Sequence, residues 1–203
     1  DNTIIVFLSD NGGRLDAANN GPYRGHKGML FEGGIRVPFA ISWPAKLPRG
    51  KTFNEPVISL DLFTTFMAAA GVERGANDKL DGINLLPYLS FNGKTLAERA
   101  LYWRVANGKE YAVRKGAYKL VKSAYKNKTM LFNLDQDHQE IRDISSENSE
   151  VVAQLVNLYE HWNDELSTPQ WTDPHMANVR KEEADTREYR RKSLSKKEQA
   201  KYD

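Results

Sequence analysis

The sequence predicts an α/β fold that runs into a small antiparallel sheet with a helix packed on it. Three observations carry this. Two short, largely apolar segments precede a helix-period segment, an alternation that belongs to α/β folds. Four short strand-like segments then follow one another with turn residues between them. After these comes one amphipathic stretch of helical period, bounded by Pro169.

Taken in order, residues 4–8 (Ile4-Ile5-Val6-Phe7-Leu8) form an apolar, β-branched run, the pattern of a strand buried on both faces, as in parallel sheets. Ser9-Asp10-Asn11-Gly12-Gly13 reads as the loop at its C-terminal end. Gly21-Pro22 and Gly25 punctuate an irregular stretch, and residues 37–43 give a second buried strand closed by Pro44. Leu62, Phe63, Phe66, Met67 and Ala70 recur at helical spacing, with Ser59 or Asp61 available as a cap and Gly71 suited to the C-terminal end. Residues 101–103, 111–114, 118–121 and 130–134 are the four strand candidates, with Lys115-Gly116 and Lys126-Asn127-Lys128 as hairpin turns. Val151, Leu155, Leu158 and Trp162 then share one helical face. Ser195-Lys196-Lys197-Glu198 fits a capping box opening a short terminal helix.

Composition bounds the function classes. Hydrophobic residues make up 40% and charged residues 28% of the 203, an ordinary globular balance, and no apolar run approaches the roughly 18 residues of a membrane span. No basic-then-apolar leader is visible at the N-terminus, and a chain that opens directly into a core strand looks entered mid-domain. The absence of cysteine excludes disulfides and thiolate metal sites from this segment. Net charge is +2, which does not argue for nucleic acid. Nine of the 29 basic residues fall within positions 180–203, which reads as a solvated, partly helical tail or, more sharply, as a polyanion-binding one.

Three clusters carry chemistry. Asp10 and Asn11 offer hard oxygen donors at the C-terminal end of a strand, where ligands bind in open α/β sheets; the same residues also make an ordinary turn. Arg24-Gly25-His26-Lys27-Gly28 puts a lysine ammonium between glycines that let a backbone approach an anion, or is simply an exposed basic loop. Glu32-Gly33-Gly34-Ile35-Arg36 suggests a tight backbone approach, with a Glu32–Arg36 pair of architectural kind.

In this order, residues 7–13, 23–28 and 31–38 resemble the second conserved block of the type I, formylglycine-dependent sulfatases of the alkaline phosphatase superfamily. The resemblance continues through Leu80-Asp81-Gly82, Leu101-Tyr102-Trp103-Arg104, Val113-Arg114-Lys115-Gly116 and Leu131-Phe132-Asn133-Leu134, over about residues 3–171. It implies residues 1–97 as the C-terminal part of the catalytic domain, with part of an alkaline-phosphatase-like sandwich sheet. Residues 98–172 become a small α+β subdomain and residues 173–203 the charged tail. It also implies Asp10 and Asn11 as two Ca²⁺ ligands and Lys27 as the lysine that contacts the sulfate ester. The formylglycine nucleophile would come from a Cys or Ser in an N-terminal part of the same protein, so the 203-residue segment alone should be inactive. A periplasmic, secreted or lysosomal-type compartment follows from the same resemblance. His26, Trp103 and Arg104 are candidate contacts to a carbohydrate sulfate, with aromatic and basic groups to stack on sugar and pair with anions. The alternatives are a phosphodiesterase or phosphonate hydrolase of the same superfamily, and a non-catalytic module binding sulfated polysaccharide. With one helix, at 61–70, available to cover the strands at 4–8 and 37–43, a large exposed apolar surface is expected on the α/β portion when the segment is viewed alone.

Overall fold

A computed structural model describes residues 1–75, 79–90, 93–105, 108–123 and 127–168. The proposed tail at 173–203 and its capping box lie outside the described residues. The chain divides into two units: residues 1–8 with 38–97, and residues 9–37 with 98 onward.

In the first unit, β1 (Ile5–Leu8) and β2 (Phe39–Ser42) pair antiparallel, Val6 opposite Ile41 and Leu8 opposite Phe39. This corrects the expectation of a parallel arrangement. Side chains alternate across a strand, so one face carries the half-buried Val6, Leu8, Phe39 and Ile41, while Ile5 and Phe7 are 64% and 68% exposed. The expected open apolar surface is present on these strands; α2 (Leu60–Ala69) exposes Leu60, Phe63 and Phe66 as well.

The start of α2 is secured from within its first turn. Ser59 holds the N-cap position without a side-chain bond, while the buried Asp61 carboxylate accepts the N–H groups of Ile58 (2.9 Å) and Ile83 (3.0 Å). Thr65 extends this linkage, donating to Asp61 O and accepting from Leu85 N, and so ties α2 to the segment entering α3 (Leu86–Leu89). At the other end Gly71 adopts φ +71°, and the bonds Gly71 N to Ala68 O and Val72 N to Met67 O close the helix as a Schellman motif.

The second unit is built on an antiparallel meander in the order β3 (Ala100–Val105), β4 (Glu110–Lys115), β5 (Tyr118–Ser123), β6 (Lys128–Asn133). Period-2 alternation gives it two apolar faces. Val113, Leu120 and Leu131 pack on α4 (Ser149–Asp164) through Leu155 and Tyr159, aided by stacked Tyr111–Tyr159 and Tyr102–Trp162 rings. Ala112, Val121, Met130 and Phe132 pack on the other side against Leu30 and Phe31. Residues 9–37 thus join this unit because their apolar centre covers a sheet face that would otherwise be bare.

One acid-sensitive contact supports the α4 face. Burial pushes the Asp143 carboxyl up, but the Lys128 ion pair at 2.7 Å and the N–H groups of Ser145 and Leu131 outweigh it and hold the pKa at about 2. A depressed folded-state pKa contributes stability above the unfolded value of 3.8, lost as pH falls toward about 2. Asp143→Asn is therefore expected to flatten the fall in stability between pH 4 and 2, read from denaturant midpoints. An unchanged pH profile would remove Asp143 from the account.

Candidate functional site

The three clusters meet through their backbones. After β1, Ser9 Oγ donates to Asn11 O at 2.8 Å and tightens the turn that presents Asp10 and Asn11. Gly13 exchanges two bonds with the Asn20 side chain, each 2.8 Å, which returns the irregular stretch onto this turn. Lys27 N then donates to Gly13 O at 3.2 Å, so the basic loop abuts the Asp10-Asn11 loop.

The short helix α1 (Glu32–Ile35) gathers both loops. Gly12 N donates to Gly34 O at 2.9 Å, and Gly33 N donates to Arg24 O at 2.6 Å. These crossings explain the paired glycines. A Cβ on Gly33 would strike the Arg24 and Gly25 carbonyls, and one on Gly34 would strike those of His26 and Met29.

The open side chains are those the sequence singled out. Asp10 and Lys27 are exposed and Asn11 is half-buried. Among the described residues the Asp10 carboxylate, the Asn11 carboxamide and the Lys27 ammonium make no hydrogen bond or ion pair, leaving their polar atoms available to a ligand. His26 is oriented locally, its Nδ1 2.9 Å from the Lys27 carbonyl, which can only accept. Two oxygen donors suit a hard cation but fill only part of a Ca²⁺ shell of six to eight. Among the described residues no group of three His, Cys, Asp or Glu side chains could hold a metal.

Trp103 and Arg104 lie on opposite faces of the sheet. Successive strand residues point to opposite faces, and Trp103 packs with Leu30 and Phe31 on the face that carries the site segment. Arg104 lies on the α4 face, where it donates to Asn163 Oδ1 (2.8 Å) and Ser167 O (3.0 Å). In this structure it ties β3 to the end of α4.

Beneath α1 lies a charged cluster that sequence reading missed. Lys119, fully buried, has its Nζ 2.8 Å from Glu32 Oε1 and 2.9 Å from Glu140 Oε1. Both contacts are ion pairs, and the one to Glu32 is also a hydrogen bond. Glu140 Oε2 accepts Glu32 N at 2.6 Å, and Arg24 Nη1 donates to Glu140 O at 2.8 Å while its guanidinium lies 4.0 Å from the Phe31 ring centre. The half-exposed Arg36 approaches Glu32 Oε2 at 3.6 Å, the pairing expected of these two residues. Burial raises the Glu140 pKa against the opposing pull of Lys119. A trace of Lys119 existed in the sequence: alternation in Tyr118-Lys119-Leu120-Val121 puts it on the core face with Val121. Nothing marked Glu140, a loop residue at φ +56°.

Residues 24–165 match the family N-sulphoglucosamine sulphohydrolase, C-terminal. The chain is 38% identical over 109 residues to human N-acetylgalactosamine-6-sulfatase, covering 51% of this chain and 21% of that protein. It is 41% identical over 96 residues to dog arylsulfatase H (43% and 17%), and 32% identical over 121 residues to mouse steryl-sulfatase (55% and 19%). A solved structure of Ps i-CgsB in complex with k-i-k-neocarrahexaose matches 100% of this chain and 44% of its own, with TM-score 0.76 and 32% identity. The chain thus spans about a fifth of the length of these curated relatives.

Proposed function

From the premise that the chain belongs to the sulfatase family, as a C-terminal part of it, we propose that the intact protein hydrolyses a sulfate ester, with Asp10, Asn11 and Lys27 contributing to the active site. The observation that supports this reading is the backbone contact of Lys27 with Gly13, which brings the loop that carries Lys27 against the loop that carries Asp10 and Asn11.

Asp10 and Asn11 would hold Ca²⁺ in part, the remaining ligands coming from the N-terminal part, and the ion when bound supplies Lewis-acid charge at the sulfate oxygens. The nucleophilic oxygen would belong to a formylglycine formed from a Cys or Ser of that same part. Within this chain, the Lys27 ammonium neutralises charge on the sulfuryl group as the bond to the leaving oxygen breaks. The tight turn at Ser9 and the glycine crossings fix the donors in advance, so little reorganisation is needed during reaction. His26, braced on the Lys27 carbonyl, orients the loop and borders the substrate.

Asp10→Ala in the intact protein is expected to raise the Ca²⁺ needed for half-maximal turnover at least about tenfold, because affinity follows ligand charge and number. The measurement is turnover against free Ca²⁺, with a calcium-induced melting shift as a second readout. An unchanged Ca²⁺ dependence in both would overturn the ligand assignment.

The substrate we propose is a carbohydrate sulfate. The support is similarity to an N-acetylgalactosamine-6-sulfatase and to a protein solved with a neocarrahexaose, together with Trp103 on the site side of the small sheet. Turnover of sulfated oligosaccharides against nitrophenyl sulfate checks it, and cleavage of the aryl ester alone would reverse it. The same reading implies a secreted, periplasmic or lysosomal-type compartment. No helix among the described residues is long and apolar enough to cross a membrane.

A further inference from the structure

Burying charge is costly, and pairing buried charges often returns no more stability than an apolar cluster of the same volume would. Lys119, Glu32 and Glu140 are nonetheless all buried and joined to one another. Their geometry gives them something else to do. Both carboxylates grip the first turn of α1: that of Glu32 on Lys119, and that of Glu140 on the Glu32 N–H. The next two residues, Gly33 and Gly34, are the points from which the two site loops hang, through Arg24 O and Gly12 N. Asp10 and Asn11 adjoin Gly12, and Lys27 is three residues beyond Arg24. Arg24 then closes the circuit by donating to the Glu140 carbonyl. A rigid, directional anchor on the sheet therefore sits one residue away from the suspension of both loops. An apolar cluster would bury the same area but would leave α1 free to slide or rotate, since apolar contact is non-directional.

We propose that Lys119, Glu32 and Glu140 are positioning residues for sulfate-ester hydrolysis, setting through the α1 backbone the relative placement of the Asp10-Asn11 loop and the Lys27 loop. This rests on the reading of those loops given above.

The test uses the intact enzyme carrying Lys119→Met, Glu32→Gln and Glu140→Gln together, which removes the three charges without stranding any one of them. Misplacement of reacting groups by about 1 Å can cost on the order of a hundredfold. We expect kcat to fall at least about tenfold, with KM changed less than about threefold and the melting transition retained. A merely structural role would lower kcat independently of Lys27, so the same triple change is repeated on Lys27→Ala. Positioning predicts that it then costs clearly less than in the wild-type background, a non-additive cycle. Wild-type kcat in the folded triple variant, or a fully multiplicative loss, overturns the proposal. Wild-type turnover by Lys27→Ala alone overturns the site reading itself, a result distinguishable from either. Should the triple variant not fold, Lys119→Arg carries the test, replacing a point charge by a planar fork while keeping the cation. A drop in kcat at steady KM supports positioning, and wild-type kcat overturns it.

Discussion

Lys27→Ala in the intact enzyme is expected to lower turnover of a sulfate ester about a hundredfold, equivalent to roughly 3 kcal/mol of transition-state stabilisation, while leaving the fold intact. The magnitude follows from removing a preorganised charge aimed at a developing anion. The fold is spared because the Lys27 side chain is exposed and bonds to nothing else among the described residues; its backbone N–H, which holds the loop to Gly13, survives the substitution. Lys27→Arg should restore only part of the rate, since a planar guanidinium spreads its charge over a fork that a site shaped for a compact ammonium does not fit. Steady-state kinetics on one sulfate ester, with a melting curve for each variant, decides the matter. Unchanged kinetics in Lys27→Ala would reduce the residue to a surface lysine.

The second large effect is on stability. Lys119→Met alone should destabilise the protein by about 3–5 kcal/mol, because it leaves the Glu32 and Glu140 carboxylates buried together with no buried cation between them. Among the described residues, the charged groups near the pair include Lys119 from β5, Arg36 at 3.6 Å from Glu32, and Arg24, which donates to the Glu140 carbonyl. Arg36 is half-exposed and cannot replace what Lys119 supplies. The pH dependence of the loss has a definite sign. Burial already raises the Glu140 pKa, and removing Lys119 takes away the opposing influence. A carboxylate whose folded pKa lies above its unfolded value costs stability as pH rises through that window. The deficit of Lys119→Met relative to wild type should therefore be smaller near pH 5 than near pH 8, measured by denaturant midpoints. An equal deficit at both values would mean that lost packing, not stranded charge, is the cause. The charge-free triple variant should recover much of the stability but not the rate, which separates the two roles of the cluster.

Local pattern determined much of this protein. The helix of residues 60–69, the four strands of the meander and the helix of residues 149–164 follow from hydrophobic period, turn residues and caps, all of which act over a few residues. The family was likewise legible, because the residues of its motifs stand in order along the chain. The open side chains Asp10, Asn11 and Lys27 belong to those motifs and were readable for that reason.

Pairing and partnership were decided only in three dimensions. An apolar run such as residues 4–8 has no way to specify the direction of its neighbour, and β1 pairs antiparallel with β2. Strand alternation was available to separate Trp103 from Arg104, but the bonds that tie Arg104 to Asn163 and Ser167 span about sixty residues of sequence. Residues 9–37 join the C-terminal unit because Leu30 and Phe31 fit the bare face of a sheet that begins some seventy residues later. The Lys119 cluster is the extreme case. Its members come from a four-residue helix, a strand and a loop, and beyond the alternation that sets Lys119 on the core face nothing local joins the three. Only tertiary packing, which excludes water from all three at once, turns them into a single anchored unit.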